Sequence, residues 1–200
     1  MLRMVDVCKT FNKGTVNEKT ALEHLNLTVE DGDFLTIIGS NGAGKSTTFH
    51  AICGSFYVDE GYIELDHEDI TFVPEHKRSK YIGHLFQDPM KGTAAGMMIE
   101  ENLAMAARRG KRPGLRWSSQ GEQTERFKAM LRELDLGLED RMTAHVGLLS
   151  GGQRQAVTLL MATLVRPELL LLDEHTAALD PKTAEKVLQL TDRIVRQHKT

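Results

Sequence analysis

The stretch Gly39-Ser40-Asn41-Gly42-Ala43-Gly44-Lys45-Ser46 decides how the rest of the chain is read. It matches G-x-x-x-x-G-K-[ST], the pattern of a phosphate-binding loop. An apolar run, Phe34-Leu35-Thr36-Ile37-Ile38, precedes it and predicts a buried strand. Thr47-Thr48-Phe49-His50-Ala51-Ile52 follows and predicts the opening of a helix. Strand, glycine-rich turn and helix is the context in which this pattern carries chemistry. Glycines let the backbone curl until several N–H groups converge on one concavity. The helix N-terminus adds partial positive charge beneath it. On this reading Lys45 reaches the β- and γ-phosphates of a nucleotide and the Ser46 hydroxyl ligates Mg²⁺.

The composition narrows the class. Two hundred residues, 40% apolar and 26% charged, predict one globular domain with room for a subdomain. A net charge of −3 argues against a nucleic-acid coat. Met1-Leu2-Arg3-Met4-Val5-Asp6 holds no apolar signal-peptide core, and no apolar run is long enough to span a bilayer. A membrane role would therefore run through a partner. Cys8 and Cys53 are too few for a disulfide framework and read as small buried apolar residues of a reducing compartment.

Upstream of the loop, Leu2 and Met4 predict a first strand, Phe11-Asn12-Lys13-Gly14 a turn with an exposed aromatic, and Leu25, Leu27 and Val29 a second strand that turns at Asp31-Gly32. Downstream, Gly61–Asp66 and Tyr81–Phe86 predict two further strands, the latter ending at Gln87-Asp88-Pro89. From about residue 90 to 165 the pattern is helical. Ser119 to Glu122 has capping-box spacing, followed by Phe127, Met130, Leu131 and Leu134 at helical intervals. Met97, Met98, Met105 and Met142 enrich this half in methionine, which fills cores and also suits surfaces that repack. Arg108, Arg109, Lys111, Arg112 and Arg116 form a basic cluster, a solvated loop or a contact for anionic head groups or an acidic partner. Residues 168–172 read as a central parallel strand. Asp180-Pro181 then starts a helix whose apolar face is Ala184, Val187, Leu188, Thr191, Ile194 and Val195.

Two more constellations carry chemistry. Leu169-Leu170-Leu171-Leu172-Asp173-Glu174 closes a buried strand with adjacent carboxylates. Such a pair can simply cap a helix. Paired with a phosphate loop it reads as a Walker-B element, with Asp173 on Mg²⁺ and Glu174 as the base for an attacking water. Leu149-Ser150-Gly151-Gly152-Gln153-Arg154-Gln155 precedes another helix, which makes a second anion site of N–H groups and a hydroxyl. One subunit does not need two cradles for one nucleotide. The simplest arrangement lets the second serve the nucleotide of another copy.

Phosphate loop, Gln87, LSGGQ, Asp173-Glu174 and Ala178-Leu179-Asp180 stand in the order found in ATP-binding cassette ATPases, and the chain resembles that family along essentially its whole length. The resemblance implies an α/β fold: a P-loop NTPase core of mostly parallel sheet with flanking helices, an antiparallel β-subdomain and a helical subdomain. It implies one domain over residues 1–200, truncated at its C-terminus, with the helical subdomain at about 90–165. It implies ATP and Mg²⁺ as cofactors and a head-to-tail dimer, of like or paired subunits, with ATP sandwiched between them. Phe11 resembles the aromatic that stacks on adenine. Gly39, Ser40, Asn41, Gly42, Ala43, Gly44, Lys45, Ser46 and Thr47 resemble the phosphate loop. Gln87 resembles the glutamine that touches Mg²⁺ and the attacking water. Ser150, Gly151 and Gly152 correspond to the signature facing the opposite nucleotide, and Asp180 to the loop that bridges the two nucleotides. Catalysis then falls to Glu174, Gln87 and Lys45, and Mg²⁺ to Ser46, Gln87 and Asp173.

Two departures stand out. His175 occupies the usual position of a proline, and the family's switch histidine would lie on a strand beyond Thr200, so a weakly active or inactive fragment is expected. His198 is too early in the chain to serve. The resemblance implies an ATP-hydrolysing subunit that powers solute uptake through a membrane permease, with a solute-binding protein and no nucleic acid, held at the inner face of the cell membrane. The alternative is a soluble cassette ATPase in DNA repair, chromosome or translation work. A long coiled-coil insert, zinc-binding cysteine pairs and a second cassette would mark those types, and this sequence has none of the three. A non-hydrolysing ATP-binding module is a third reading, against which Glu174 speaks and for which the missing switch histidine speaks.

Overall fold

The computed structural model describes residues 1–88, 90–111, 120–174, 176 and 179–198, except the side chains of Gln120, Lys182 and residues 194–198. Two compact units divide it, Met1–Ile82 and Gly83–Thr200.

The first unit is an antiparallel sheet with the loop-bearing helix against it. Strand β1 (Leu2–Phe11) lies between β2 (Lys19–Val29) and β3 (Glu60–Leu65), and β4 (Glu68–Asp69) follows β3, giving the order β2-β1-β3-β4. Leu2 pairs with Val29 and Leu65, and Met4 with Leu27 and Ile63. Strict alternation would next turn Asp6 into the core. Instead the register shifts between Met4 and Val7, and Asp6 takes φ 52°. This irregularity sends Asp6 outward and buries Val7 completely. Phe11 ends β1 half-buried, not exposed as the turn pattern predicts, because its ring packs edge-to-face on Phe56 at 5.2 Å.

Helix α1 (Lys45–Cys53) is bounded by two left-handed glycines, Gly44 at φ 89° and Gly54 at φ 81°. Its buried face is Thr48, Ala51, Ile52 and Cys53. Cys53 is an inert core thiol, its pKa pushed up to about 12 by burial. At the C-terminal end stands Arg78, last residue of the short helix α2 (Glu75–Arg78) and only 1% exposed. Its guanidinium donates to the carbonyls of Ala51, Ile52, Thr71 and Val73 at 2.6–2.9 Å. Burial lowers its pKa. A Cβ on Gly54 would come within 2.7 Å of Arg78 Nε, so glycine there answers both the backbone and the arginine.

The strand expected at Phe34–Ile38 does not form: residues 33–40 carry no regular structure, and Phe34, Leu35 and Ile38 are 78%, 51% and 90% exposed. Among the described residues no strand pairs with this run. An apolar sequence supplies side chains for a strand, but the ladder needs a neighbouring backbone.

The second unit is mostly helical. It holds all but the first residue of β5 (Ile82–Leu85), and α3 (Ile99–Ala106), α4 (Gln120–Glu133), a 3-10 turn (Val146–Leu148), α5 (Gly151–Thr163), β6 (Leu169–Leu172) and α6 (Pro181–His198). Strands β5 and β6 form a two-stranded parallel sheet, prolonged by the Asp173 N–H donating to Leu85 O at 3.0 Å. Phe127 and Leu131 of α4, and Leu134 just beyond its end, are buried at their expected spacing, with Met130 half-buried. They share a core with Leu85, Leu103, Leu138 and Leu159. The residue expected to cap α4, Ser119, lies outside the described residues.

Three expectations are corrected here. Only Leu171 of β6 is buried, so this is not a fully enclosed central strand. In α6 Leu188 is 50% exposed, while Leu190, unforeseen, is buried beside Val187 and Thr191; Ile194 and Val195 fall outside the description. Within the basic cluster, Arg109 is not a free surface charge. Its Nη2 donates to Val165 O and, at 2.9 Å, to Ala162 O, where the end of α5 leaves carbonyls without helical partners. Arg112 and Arg116 lie outside the described residues.

Helices α5 and α6 meet at Gly152, where an added Cβ would lie 1.8 Å from Thr183 Cγ2. Substituting Gly152→Ala should therefore cost about 2 kcal/mol by overpacking, read as a lowered unfolding midpoint. Thr183→Ala in the same chain should recover most of that loss, since it leaves the nearest atom at 3.2 Å. Strictly additive losses would contradict the contact. For Arg78→Leu, several buried carbonyls lose their donors. Chemical denaturation should show a loss of at least about 3 kcal/mol.

Candidate functional site

The glycine-rich loop is built by its backbone. Gly42 and Gly44 take φ 84° and 89°, and the Ala43 N–H donates to Ser40 O at 3.2 Å. A Cβ on Gly44 would stand 2.7 Å from Ala21 O of β2, so the helix can start this close to the sheet only on a glycine. As N-cap, Gly44 offers no side-chain oxygen to the first turn of α1. The N–H groups of that turn therefore remain for an anion. Lys45 Nζ donates to Gly39 O at 2.6 Å and Ser40 O at 3.1 Å, folding the ammonium over the loop. Ser46 is exposed and Thr47 half-buried, while Thr48, buried, spends its hydroxyl on Gly44 O at 3.0 Å. Asn41 sits exposed at the loop's crest. Phe11, in the same unit, has Lys9 Nζ 5.6 Å from its ring centroid as well as Phe56 at its edge.

In the second unit the chain turns sharply after β6. Glu174 takes φ 39°, a left-handed conformation uncommon for a non-glycine residue, and its side chain is exposed. Gln87, directly beyond β5, donates from Nε2 to Glu174 Oε2 at 3.3 Å, joining residues 87 positions apart. Asp173 is half-buried at the strand end. His175 and Ala178 lie outside the described residues. Asp180 Oδ1 accepts from Thr183 N at 3.1 Å and caps α6.

Helix α5 begins differently from α1. Ser150 Oγ accepts from Gln153 N at 3.3 Å, and Gln153 Oε1 accepts from Ser150 N at 3.2 Å, a capping box. The Ser150 oxygen is thus engaged within its own helix, and its O–H can still donate, since the residue is exposed. Gly151 is exposed, whereas Gly152 is buried against Thr183. At least part of the need for glycine at position 152 thus comes from packing inside this unit.

Sequence reasoning passed over Phe56, Arg78 and Arg154. Phe56 and Arg78 belong to no motif. Arg154 merely adjoins the signature in sequence, and its guanidinium turns back to the residues preceding Ser150. The one signal in reach was its place on the first turn of a capped helix.

Residues 22–177 match the family described as ABC transporter. The chain is 42% identical over 197 residues to the tyrosine transport ATP-binding protein of Clostridioides difficile (strain R20291), covering 98% of this chain and 78% of that protein. It is 37% identical over 201 residues to the methionine import ATP-binding protein MetN of Rhizobium johnstonii, covering 98% of this chain and 51% of that protein, so it spans about half the length of this second relative. Its fold superposes on a dimeric ATP-binding cassette solved in a post-hydrolysis state with ADP and Pi, at TM-score 0.83 and 28% identity, covering 100% of this chain and 85% of that one. The glycine-capped helix, the strand-end carboxylates and the serine-capped helix thus sit in a P-loop NTPase fold, and the chain belongs to the ATP-binding cassette ATPases of the ABC transporters.

Proposed function

We propose that this chain binds and hydrolyses ATP to drive solute uptake through a separate membrane permease, working as one half of an ATP-sandwiched dimer. The observation that carries the hydrolytic part is the Gln87–Glu174 hydrogen bond, which joins the candidate base to the residue that would report on the attacking water. In this reading Lys45 and the backbone of Gly39 to Thr47 hold the phosphates, and Phe11 stacks on the adenine. Glu174 takes the proton of the attacking water. Ser150, Gly151 and Gly152 address the nucleotide of the opposite subunit, and Asp180 belongs to the loop that bridges the two.

Mg²⁺ fits the donor chemistry. By residue type, Ser46, Gln87 and Asp173 carry a hydroxyl, an amide carbonyl and a carboxylate, the hard oxygen donors that Mg²⁺ takes. Because Gln87 donates through Nε2, its carbonyl oxygen is the atom left to face a cation. The ion would neutralise charge on the transferred phosphoryl group.

Uptake is supported by relatives whose names contain tyrosine transport and methionine import. An amino acid is the first solute to test, with a solute-binding protein as the delivering partner. No helix among the described residues is long and apolar enough to cross a membrane, in keeping with attachment through a permease at the inner face.

Two variants test the reading. Lys45→Ala keeps the backbone cradle but loses the charge, and ATP affinity in titration calorimetry should fall more than about tenfold, over about 1.4 kcal/mol. Unchanged affinity would refute the phosphate-loop assignment. Glu174→Gln keeps the shape of the side chain and loses the base. With ATP and Mg²⁺ it should accumulate as a dimer in light scattering without turnover, and a persistent monomer would count against the sandwich.

A further inference from the structure

Arg154 lies on the first turn of α5, and its backbone N–H donates to Ser150 O at 2.9 Å. Its side chain runs backward along the chain. Nε donates to Val146 O at 3.2 Å, and Nη2 donates to Gly147 O at 2.9 Å and Leu149 O at 3.1 Å. Nη1 lies 2.6 Å from the sulfur of Met90, three residues beyond Gln87. One guanidinium therefore gathers three carbonyls from the four residues that deliver the chain to Ser150, and adds an anchor on a segment far away in sequence.

The amide side of this segment is tied by backbone: Val146 and Gly147 donate to Met97 O and Ala95 O, and Leu148 and Leu149 donate within the turn. Val146–Leu148 form a 3-10 turn, in which Val146 is buried and Leu148 is 73% exposed. Arg154 acts on the other side, on the carbonyls of Val146, Gly147 and Leu149. A planar fork with five donors fixes their directions, because each carbonyl must lie near its plane. An ammonium has three donors and no plane.

We propose that Arg154 is the positioning residue of the signature serine: it holds residues 146–149 in the one arrangement that aims the Ser150 hydroxyl outward, and so sets the geometry with which the capped helix meets a nucleotide held by another subunit. The reading of Ser150 as a cross-subunit contact is the one proposed above. The hold on residues 146–149 is independent of it.

The experiment uses the full chain and two readouts. The first is hydrogen exchange of the nucleotide-free protein, followed by mass spectrometry. The amides of Val146 and Gly147 donate to Met97 O and Ala95 O, and those of Leu148 and Leu149 donate within the turn, so all four are protected in the parent. In Arg154→Ala their exchange should quicken about tenfold or more, while amides of α1 and β1 stay as they are. The second readout is dimerisation against ATP concentration in the Glu174→Gln background. Adding Arg154→Ala should raise the ATP needed for half-dimer about tenfold or more, while binding of a fluorescent ATP analogue to the monomer stays within about twofold. Arg154→Lys should resemble Arg154→Ala in both readouts and serves if the alanine variant does not fold. Unchanged exchange in residues 146–149, or unchanged dimerisation with a dimerising parent, overturns the proposal. So does a loss of protection spread over the whole chain, which would make Arg154 a general support. If the Glu174→Gln parent itself fails to dimerise, the sandwich reading fails, and hydrogen exchange still decides the role of Arg154.

Discussion

The first unit depends on a helix that must begin where side chains do not fit. Gly44 turns the chain with φ 89° at a point where any Cβ would lie 2.7 Å from a carbonyl of β2. Without that close start, α1 could not lie against the sheet with its first N–H groups turned into the loop. The absence of a side-chain cap follows from the same fact. Gly44 cannot satisfy the first turn, so the turn stays ready for an anion. Helix α5 is the opposite case, closed on itself by Ser150 and Gln153. Two helix N-termini of one fold thus differ in what they offer, one a set of N–H groups and the other a hydroxyl.

A second constraint runs through both units. Arginines here serve backbone carbonyls. Arg78 holds the end of α1, Arg109 the end of α5, and Arg154 the turn before α5. The end of a helix leaves carbonyls unpaired and carries partial negative charge, so a cation with several donors stabilises it twice over. The guanidinium does this at low entropic cost because its donors are already in one plane. The helices α1 and α5, which carry part of the candidate chemistry, are therefore held at their ends.

Where the sequence pattern failed, it failed for a common reason. The run Phe34–Ile38 has the composition of a strand but, among the described residues, no ladder partner, and composition cannot supply one. Leu188 stands at a helical interval from Ala184, yet Leu190 is the buried residue, because α6 meets its neighbours along a seam that the period alone does not locate. Asp6 breaks the alternation of β1, and only the register with two partners shows that a shift brings Val7 inward. Phe11 looked exposed beside Asn12-Lys13-Gly14 until Phe56, far along the chain, came to its edge.

The sequence by itself determined the local chemistry: a glycine-rich loop with its lysine and serine, two carboxylates at a strand end, and a serine with two glycines at a helix start. Each is a contiguous run that can be read without knowing what packs against it. Tertiary structure decided which distant groups complete them. It brought Gln87 to Glu174, Thr183 over Gly152, and Arg154 back to Met90 and to residues 146–149. Sequence carries little signal for such pairings, because most of the acceptors are backbone carbonyls. Every residue has one, and only the folded chain selects which of them an arginine can reach.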